Sequence, residues 1–527
     1  MRSSALPGLL VVAGFGAFIL TALAALFLVG GDGLPFERLV SRYTRSILAF
    51  TFLQATLSVL LSVLGALPLA IVLHRYQAFA GRSFLVRLLA LPLALPPLVA
   101  VLGLLDIWGR SGLVSGALQS LGFDVRLDIF GLQGVLLAHV FFNLPLAARL
   151  MLSHLDRQPA TTFRLADQLG LFGWTRFWRV EWPLLRTSLP GVAGLIMMLC
   201  IGSFTIVLTL GGGPSASTFE VAIYQALRFD FDPALAALYT LVQLILAGAV
   251  LLALSTLGGA PSDRAGQTIS LDGRERPVPF WGLLVLALGV LFLVVPLIAL
   301  TVAGLLADWG RLIAMPRLWS AIGTSLAIAS LAAFIATASS YALLVARSRG
   351  FKARSTTASL FNAAYGMVGS AVLAVPPLVL GAGWFLMLRG MPAQTLIAGG
   401  LVVLVNALMA LPFVLRVMGP AFEASERRYS ALAESLGISG LERFFRVDAP
   451  VLAKPFAVAL AFALVLSVGD LGAAAIFGAY DLVTLPVLIL NLMGSYRTSD
   501  AAGVAFLLGA FVFVLIALAE RSHKVLG

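Results

Sequence analysis

An aspartate inside an apolar run is the residue of this sequence most open to chemistry. Asp470 stands in Ser467-Val468-Gly469-Asp470-Leu471-Gly472, deep in a stretch long enough to cross a bilayer. A carboxylate there is costly and marks either a ligand pathway or an internal hydrogen-bonding role. The residue 267 positions earlier is Ser203, in Gly202-Ser203-Phe204. One carboxylate matched with one hydroxyl makes the two regions unequal. An unpaired Asp on a pathway attracts a cation, whereas the alternative use is a bond to backbone or to an Arg within a helix bundle. Asp470 and Ser203 are the candidate substrate-pathway residues. Asp106 lies near the end of its own apolar run, where it is expected to reach headgroups.

No catalytic or metal constellation accompanies them. His74, His139, His154 and His523 are scattered, without H-x3-H or HExxH spacing. The single Cys200 excludes a disulfide framework and a multi-cysteine metal site. A phosphate loop needs Gly-Lys-Ser/Thr. The lysines, Lys352, Lys454 and Lys524, follow Phe351, Ala453 and His523, so that loop is absent. The run Gly211-Gly212-Gly213-Pro214 reads as a turn at the end of a span. The chain is therefore expected to be no enzyme and to bind no metal or cofactor of its own.

The elements that position these residues follow from composition. The 527 residues are 60% hydrophobic and 11% charged, against about 25% charged in soluble domains. That excludes a soluble enzyme and disorder, and leaves an all-α polytopic membrane protein. Twelve spans are predicted, at about 7–30, 46–73, 84–107, 130–152, 187–211, 233–258, 280–305, 318–346, 358–388, 395–418, 454–478 and 501–519. The third and ninth contain Pro96-Pro97 and Pro376-Pro377, where kinks are expected. The first apolar run is longer than a signal-peptide core, so it reads as a span. An even number puts both termini on one side. The whole basic excess, a net charge of +11, then falls on that side, as it does on the cytoplasmic face of membrane proteins. Nucleic acid is not needed to explain it.

The chain repeats itself. Arg176-Phe177-Trp178-Arg179-Val180 returns 267 residues later as Arg443-Phe444-Phe445-Arg446-Val447. Pro145, Arg149, Gly170 and Pro183 match Pro412, Arg416, Gly437 and Pro450 at that same offset. The proline pairs match at 280, a longer external loop in the first half making the difference. Two parallel repeats of six helices are expected. Residues 1–259 hold the first, with a loop at about 161–183, and 279–527 the second, with a loop at about 428–450. The polar stretch 260–278 links them on the cytoplasmic side.

Those two loops carry the mechanism. The first reads Arg164-Leu165-Ala166-x3-Gly170-x9-Val180-x-Trp182-Pro183, the second Ala431-Leu432-Ala433-x3-Gly437-x9-Val447-x-Ala449-Pro450. Thr161 or Thr162 is expected to cap a short helix over 163–169 that Gly170 ends. A second short helix then runs to about Arg179 and is closed by Pro183. Arg176 and Arg179, set among Phe177 and Trp178, make it amphipathic, fit for a partner's groove or for a bilayer surface.

The pattern resembles the EAA loop, E-A-A-x3-G-x9-I-x-L-P, of the type I ABC importer permeases. The leading Glu is Arg164 in one loop and Ala431 in the other, and the Leu before Pro is Trp182 and Ala449. The resemblance implies that each loop docks on an ATPase subunit. Its candidate coupling residues are Ala166, Gly170, Arg176, Arg179 and Pro183, with Ala433, Gly437, Arg443, Arg446 and Pro450. Further strings narrow the family. Gly131-Leu132-Gln133-Gly134 through Asn143-Leu144-Pro145, Leu210-Gly211-Gly212-Gly213-Pro214 with Tyr224-Gln225-Ala226-Leu227, and Gly494-Ser495-Tyr496-Arg497 resemble the fused permeases of bacterial thiamine importers. That resemblance covers nearly the whole chain. It implies an inner-membrane permease with both termini cytoplasmic, two copies of an ATPase that uses ATP and Mg, and a periplasmic thiamine-binding protein. The substrate it implies is thiamine, its phosphates, or both. The binding protein is expected on the long outer segments 215–232 and 480–497. Fused ferric-iron permeases share this plan and are the alternative. An ion-coupled secondary transporter is the rival class, disfavoured by the paired loops and by the scarcity of membrane-embedded carboxylates.

Overall fold

Inside a bilayer each backbone N–H and C=O must find its partner within its own segment, so apolar runs of this length become helices. The computed structural model describes residues 3–29, 33–123, 127–257, 277–350, 356–388, 394–478 and 481–524. Among these residues there is no strand. Among the described residues eleven helices are long and apolar enough to cross a membrane. The remaining expected span, about 358–388, is two helices, Thr356–Ala374 and Pro377–Leu388, separated at the proline pair. Pro96-Pro97 likewise separates Leu91–Ala94 from Pro97–Trp108, with Leu95 extended (ψ 135°). A residue before proline is driven out of the helical region, so two consecutive prolines break the helix where one would only bend it. Single prolines do stay inside helices, as Pro145 and Pro412 do. Apart from its last two residues, the expected linker 260–278 lies outside the described residues.

The two regions use the same packing. Helix Arg42–Arg75 lies along Leu132–Asp156, and Pro316–Val345 along Gln394–Ser435. The first helix of each region crosses to the other. Leu6–Val29 packs on Pro377–Leu388, and Phe280–Leu305 on Pro97–Trp108. A glycine permits each crossing, and the two glycines are 280 residues apart. A Cβ on Gly103 would stand 2.4 Å from the carbonyl oxygen of Pro296, and one on Gly383 would stand 2.0 Å from that of Ala22. Backbone cannot yield as a side-chain tip can. Gly383→Ala is therefore expected to destabilise the protein by about 1–3 kcal/mol, read as a lowered thermal midpoint in detergent. An unchanged midpoint would refute the close approach.

Two further helices are interrupted at matched places. Trp182–Ile201 gives way to Phe204–Leu210 at Gly202 and Ser203. Ala449–Val468 gives way to Gly472–Phe477 through Gly469, Asp470 and Leu471. Discontinuous helices place free backbone and polar side chains at mid-membrane depth, where transporters build their sites.

Candidate functional site

Both loops turn on a glycine in the left-handed region, Gly170 at φ +68° and Gly437 at φ +67°, where residues with a Cβ are strained. Each turn closes with the same cap. Leu171 N–H bonds the Ala166 carbonyl and Ile438 N–H the Ala433 carbonyl, both at 2.9 Å. Ala166 and Ala433 are buried beneath it. The helix before Gly170 begins earlier than expected, at Ala160 behind Pro159, and contains both threonines, so neither caps it. Nor does Pro183 close the second helix. Gly173–Arg176 continues through a π turn, Phe177–Glu181, straight into Trp182–Ile201, with Pro183 in its first turn. Gly440–Arg443, Phe444–Asp448 and Ala449–Val468 do the same around Pro450. The wide π turn loosens the ladder where each proline brings no N–H.

The arginines divide. Arg179 and Arg446 are exposed, and Arg446 meets Glu442 at 3.1 Å. Arg176 and Arg443 are buried instead of facing outward. Arg176 donates to Asp167 at 2.8 Å and lies 3.2 Å from Glu181. Arg443 donates to Glu426 at 2.5 Å and lies 3.9 Å from Asp448. Arg75 ends the helix two spans earlier and grips Glu181 with two bonds, at 2.7 and 2.6 Å. Arg349 grips Asp448 at 2.8 and 2.9 Å and also meets Glu426, while Tyr341 donates to Asp448 at 2.6 Å. Glu181 and Asp448 are wholly buried. Each loop is thus tied to a membrane helix by a buried acid. The apolar residues turn outward instead. Leu165, Leu169, Trp174 and Trp178 are 49–73% exposed, and their counterparts Leu432, Leu436, Leu441 and Phe445 are 57–77% exposed.

A cavity of about 240 Å³ lies between the two regions, lined from one side by Met198, Gly202 and Gln243 and from the other by Pro376, Pro377, Asn406, Ser467 and Asp470. Asp470 lines it and also accepts from the N–H groups of Gly472 and Ala473, both at 3.3 Å. The backbone bonding expected of it is present, and its carboxylate also borders the cavity. Ser203 begins helix Phe204–Leu210 without a side-chain capping bond and is not part of the cavity lining, which takes Gly202 instead. Asp106 is half-buried, and its Oδ2 is buried without a partner, so it does not reach outward as expected. Gln243, Asn406 and the buried Glu220 behind Gln243 escaped the sequence reading. Gln243 and Asn406 are uncharged, and Glu220 lay in a stretch read as an outer loop.

That stretch is in fact the helix Phe219–Arg228, largely buried. Segment 480–497 is similarly packed through Leu485–Gly494. What each offers outward is an aromatic tip held in a left-handed conformation, Phe231 (φ +53°, 68% exposed) and Tyr496 (φ +58°, 94% exposed).

A membrane bundle of two similar regions, each with the same inward-anchored, outwardly apolar loop, defines a transporter's membrane subunit. Residues 342–527 match the family described as binding-protein-dependent transport system inner membrane component. The chain is 45% identical to the thiamine transport system permease protein ThiP of Brucella abortus (strain 2308), over 98% of this chain and 94% of that one. It is 43% identical to the same-named protein of Escherichia coli (strain K12), covering 91% and 89%, and 38% identical to that of Haemophilus influenzae, covering 97% and 95%. The chain belongs to the family of the thiamine transport system permease proteins.

Proposed function

We propose that this chain is the permease of an ATP-driven importer that carries thiamine, and its phosphates, into the cytoplasm by alternating access. The near-full-length likeness to thiamine permeases carries this reading and favours thiamine over ferric iron. The paired loops say how the work is supplied. Each offers its four apolar residues to one copy of a separate ATPase, so two copies bind, and ATP with Mg is used there and not on this chain. The chain sits in the bacterial inner membrane with both termini cytoplasmic, the loops and the 260–278 linker on that side, and repeats 1–259 and 279–527 rocking about the cavity. A periplasmic thiamine-binding protein docks at the other end, where Phe231 and Tyr496 project.

The test is radiolabelled thiamine uptake in cells with and without the gene, with a ferric-iron control and ATP depletion. Loss of ATP-dependent thiamine uptake on deletion is expected. Loss of iron uptake alone would overturn the substrate. Gly437→Pro supplies the coupling arm, because proline holds φ near −65° and Gly437 stands at +67°. Uptake is expected to fall at least tenfold in the variant. An ion-coupled carrier would keep its uptake and ignore ATP.

A further inference from the structure

The polar side chains lining the central cavity are those of Gln243, Asn406, Ser467 and Asp470. Asp470 contributes a carboxylate. Gln243 is fully buried and its Nε2 donates to Glu220 Oε1 at 3.0 Å. This bond turns the amide oxygen of Gln243 away from Glu220, and that oxygen has no partner. Asn406, 4% exposed, donates through Nδ2 to the Ser467 carbonyl at 3.3 Å and to Ser467 Oγ at 2.9 Å. A backbone carbonyl accepts only, so this amide is fixed in the same sense, and its Oδ1 is likewise unpartnered. Buried polar atoms are as a rule paired. Here two unpaired acceptors belong to residues lining one cavity beside a carboxylate. No Lys, Arg or His is among the lining residues. Met198, Met409 and Phe413 are among its apolar lining residues, deformable and suited to a flat ring.

We infer that this cavity is a transit site for an organic cation bearing N–H donors, its charge set against Asp470 and its donors against the free oxygens of Gln243 and Asn406. This rests on the reading of the chain as a thiamine permease and deepens it. The thiazolium of thiamine is a permanent cation, and its aminopyrimidine brings the N–H groups. Glu220 is a positioning residue, since it acts through Gln243. The two regions contribute unequally, Gln243 from one and Asp470 and Asn406 from the other, so their relative rocking pulls the acceptors apart and releases the cation.

The complete transporter, with its ATPase subunits and binding protein, is reconstituted in proteoliposomes. The readout is thiamine taken up per ATP hydrolysed, for wild type, Asp470→Asn, Asp470→Glu and Gln243→Leu. The ratio is expected to fall at least tenfold in Asp470→Asn and Gln243→Leu, and to recover severalfold in Asp470→Glu. Wild-type ratios in both Asp470→Asn and Gln243→Leu would overturn the site and leave the importer reading intact. Equal loss of uptake and hydrolysis in all three variants would assign these residues to packing and would also overturn it. Failure of the wild-type complex to take up thiamine would instead sink the importer reading itself.

Discussion

Asp448→Ala is expected to disable the second coupling loop and to lower the stability of the protein by about 3–5 kcal/mol, the usual penalty for removing one partner of a buried ion pair. Asp448 is fully buried and answers two guanidinium groups and a phenol, from Arg349, Arg443 and Tyr341. Alanine leaves Arg349, itself only 13% exposed, and Arg443 with Glu426 as their shared remaining acid. The π turn Phe444–Asp448 then loses the acid that ties it to the end of helix Pro316–Val345 and keeps only the ring contact of Phe444 with Tyr341. Measured in detergent, the thermal midpoint should drop, and uptake in vesicles should fall even at temperatures where the variant stays folded. Asp448→Glu keeps the charge and should recover part of both. Glu181→Ala is the matched change in the first loop, where Arg75 and Arg176 lose their acid, and the same signs are expected. A stable Asp448→Ala protein with wild-type uptake would show that these pairs only decorate the loop.

The fold was legible where the physics is local. Spans follow from apolar length, and the breaks follow from the proline pairs, although two prolines in sequence break where a kink had been expected. The glycine turns at Gly170 and Gly437 were legible because only the left-handed conformation demands that residue so strictly. What could not be read was direction. Arg176 and Arg443 sit among aromatics and look like the charged face of a surface helix. They turn inward because acids distant in sequence, Glu181 with Arg75 and Asp448 with Arg349, build a buried network that no local periodicity announces. The π turns add to this, since the extra residue in the turn rotates the face that a regular helix would present. The cavity shows the same divide. Asp470 stood out as a charge in an apolar run, whereas Gln243 and Asn406 are neutral and passed as ordinary span residues. Ser203 was chosen by repeat arithmetic alone. The repeats share backbone but differ in side chains at this depth, and the first region places its polar group on Gln243 instead.

Replacing Trp174 and Leu441 together by aspartate is expected to release the ATPase from the permease while leaving the permease folded. The two residues are 73% and 77% exposed, and apart from the ring contacts of Trp174 with Phe177 and Trp178 their loss disturbs little packing, so the stability cost is expected to stay at about 1 kcal/mol or below. Their value lies in what covers them. Burying a large apolar side chain contributes about 1.5–3 kcal/mol, and each 1.4 kcal/mol is a factor of ten in affinity. Each single change should therefore weaken its own site by about ten- to a hundredfold. The double change removes both attachments and their mutual reinforcement. Co-purification of the ATPase with the double variant should fail, ATP-dependent uptake should be lost, and the thermal midpoint should stay close to its wild-type value. That combination separates this surface from Asp448, where stability and transport fall together. It also separates docking from the alternative in which the loops lie on the bilayer. Interfacial anchors replaced by aspartate would loosen the loops from lipid without detaching a partner, so retained ATPase binding would decide for the membrane. The matched geometry favours docking. Four outward apolar positions recur 267 residues apart, and two copies of one partner require the same surface twice, whereas a bilayer requires no such match.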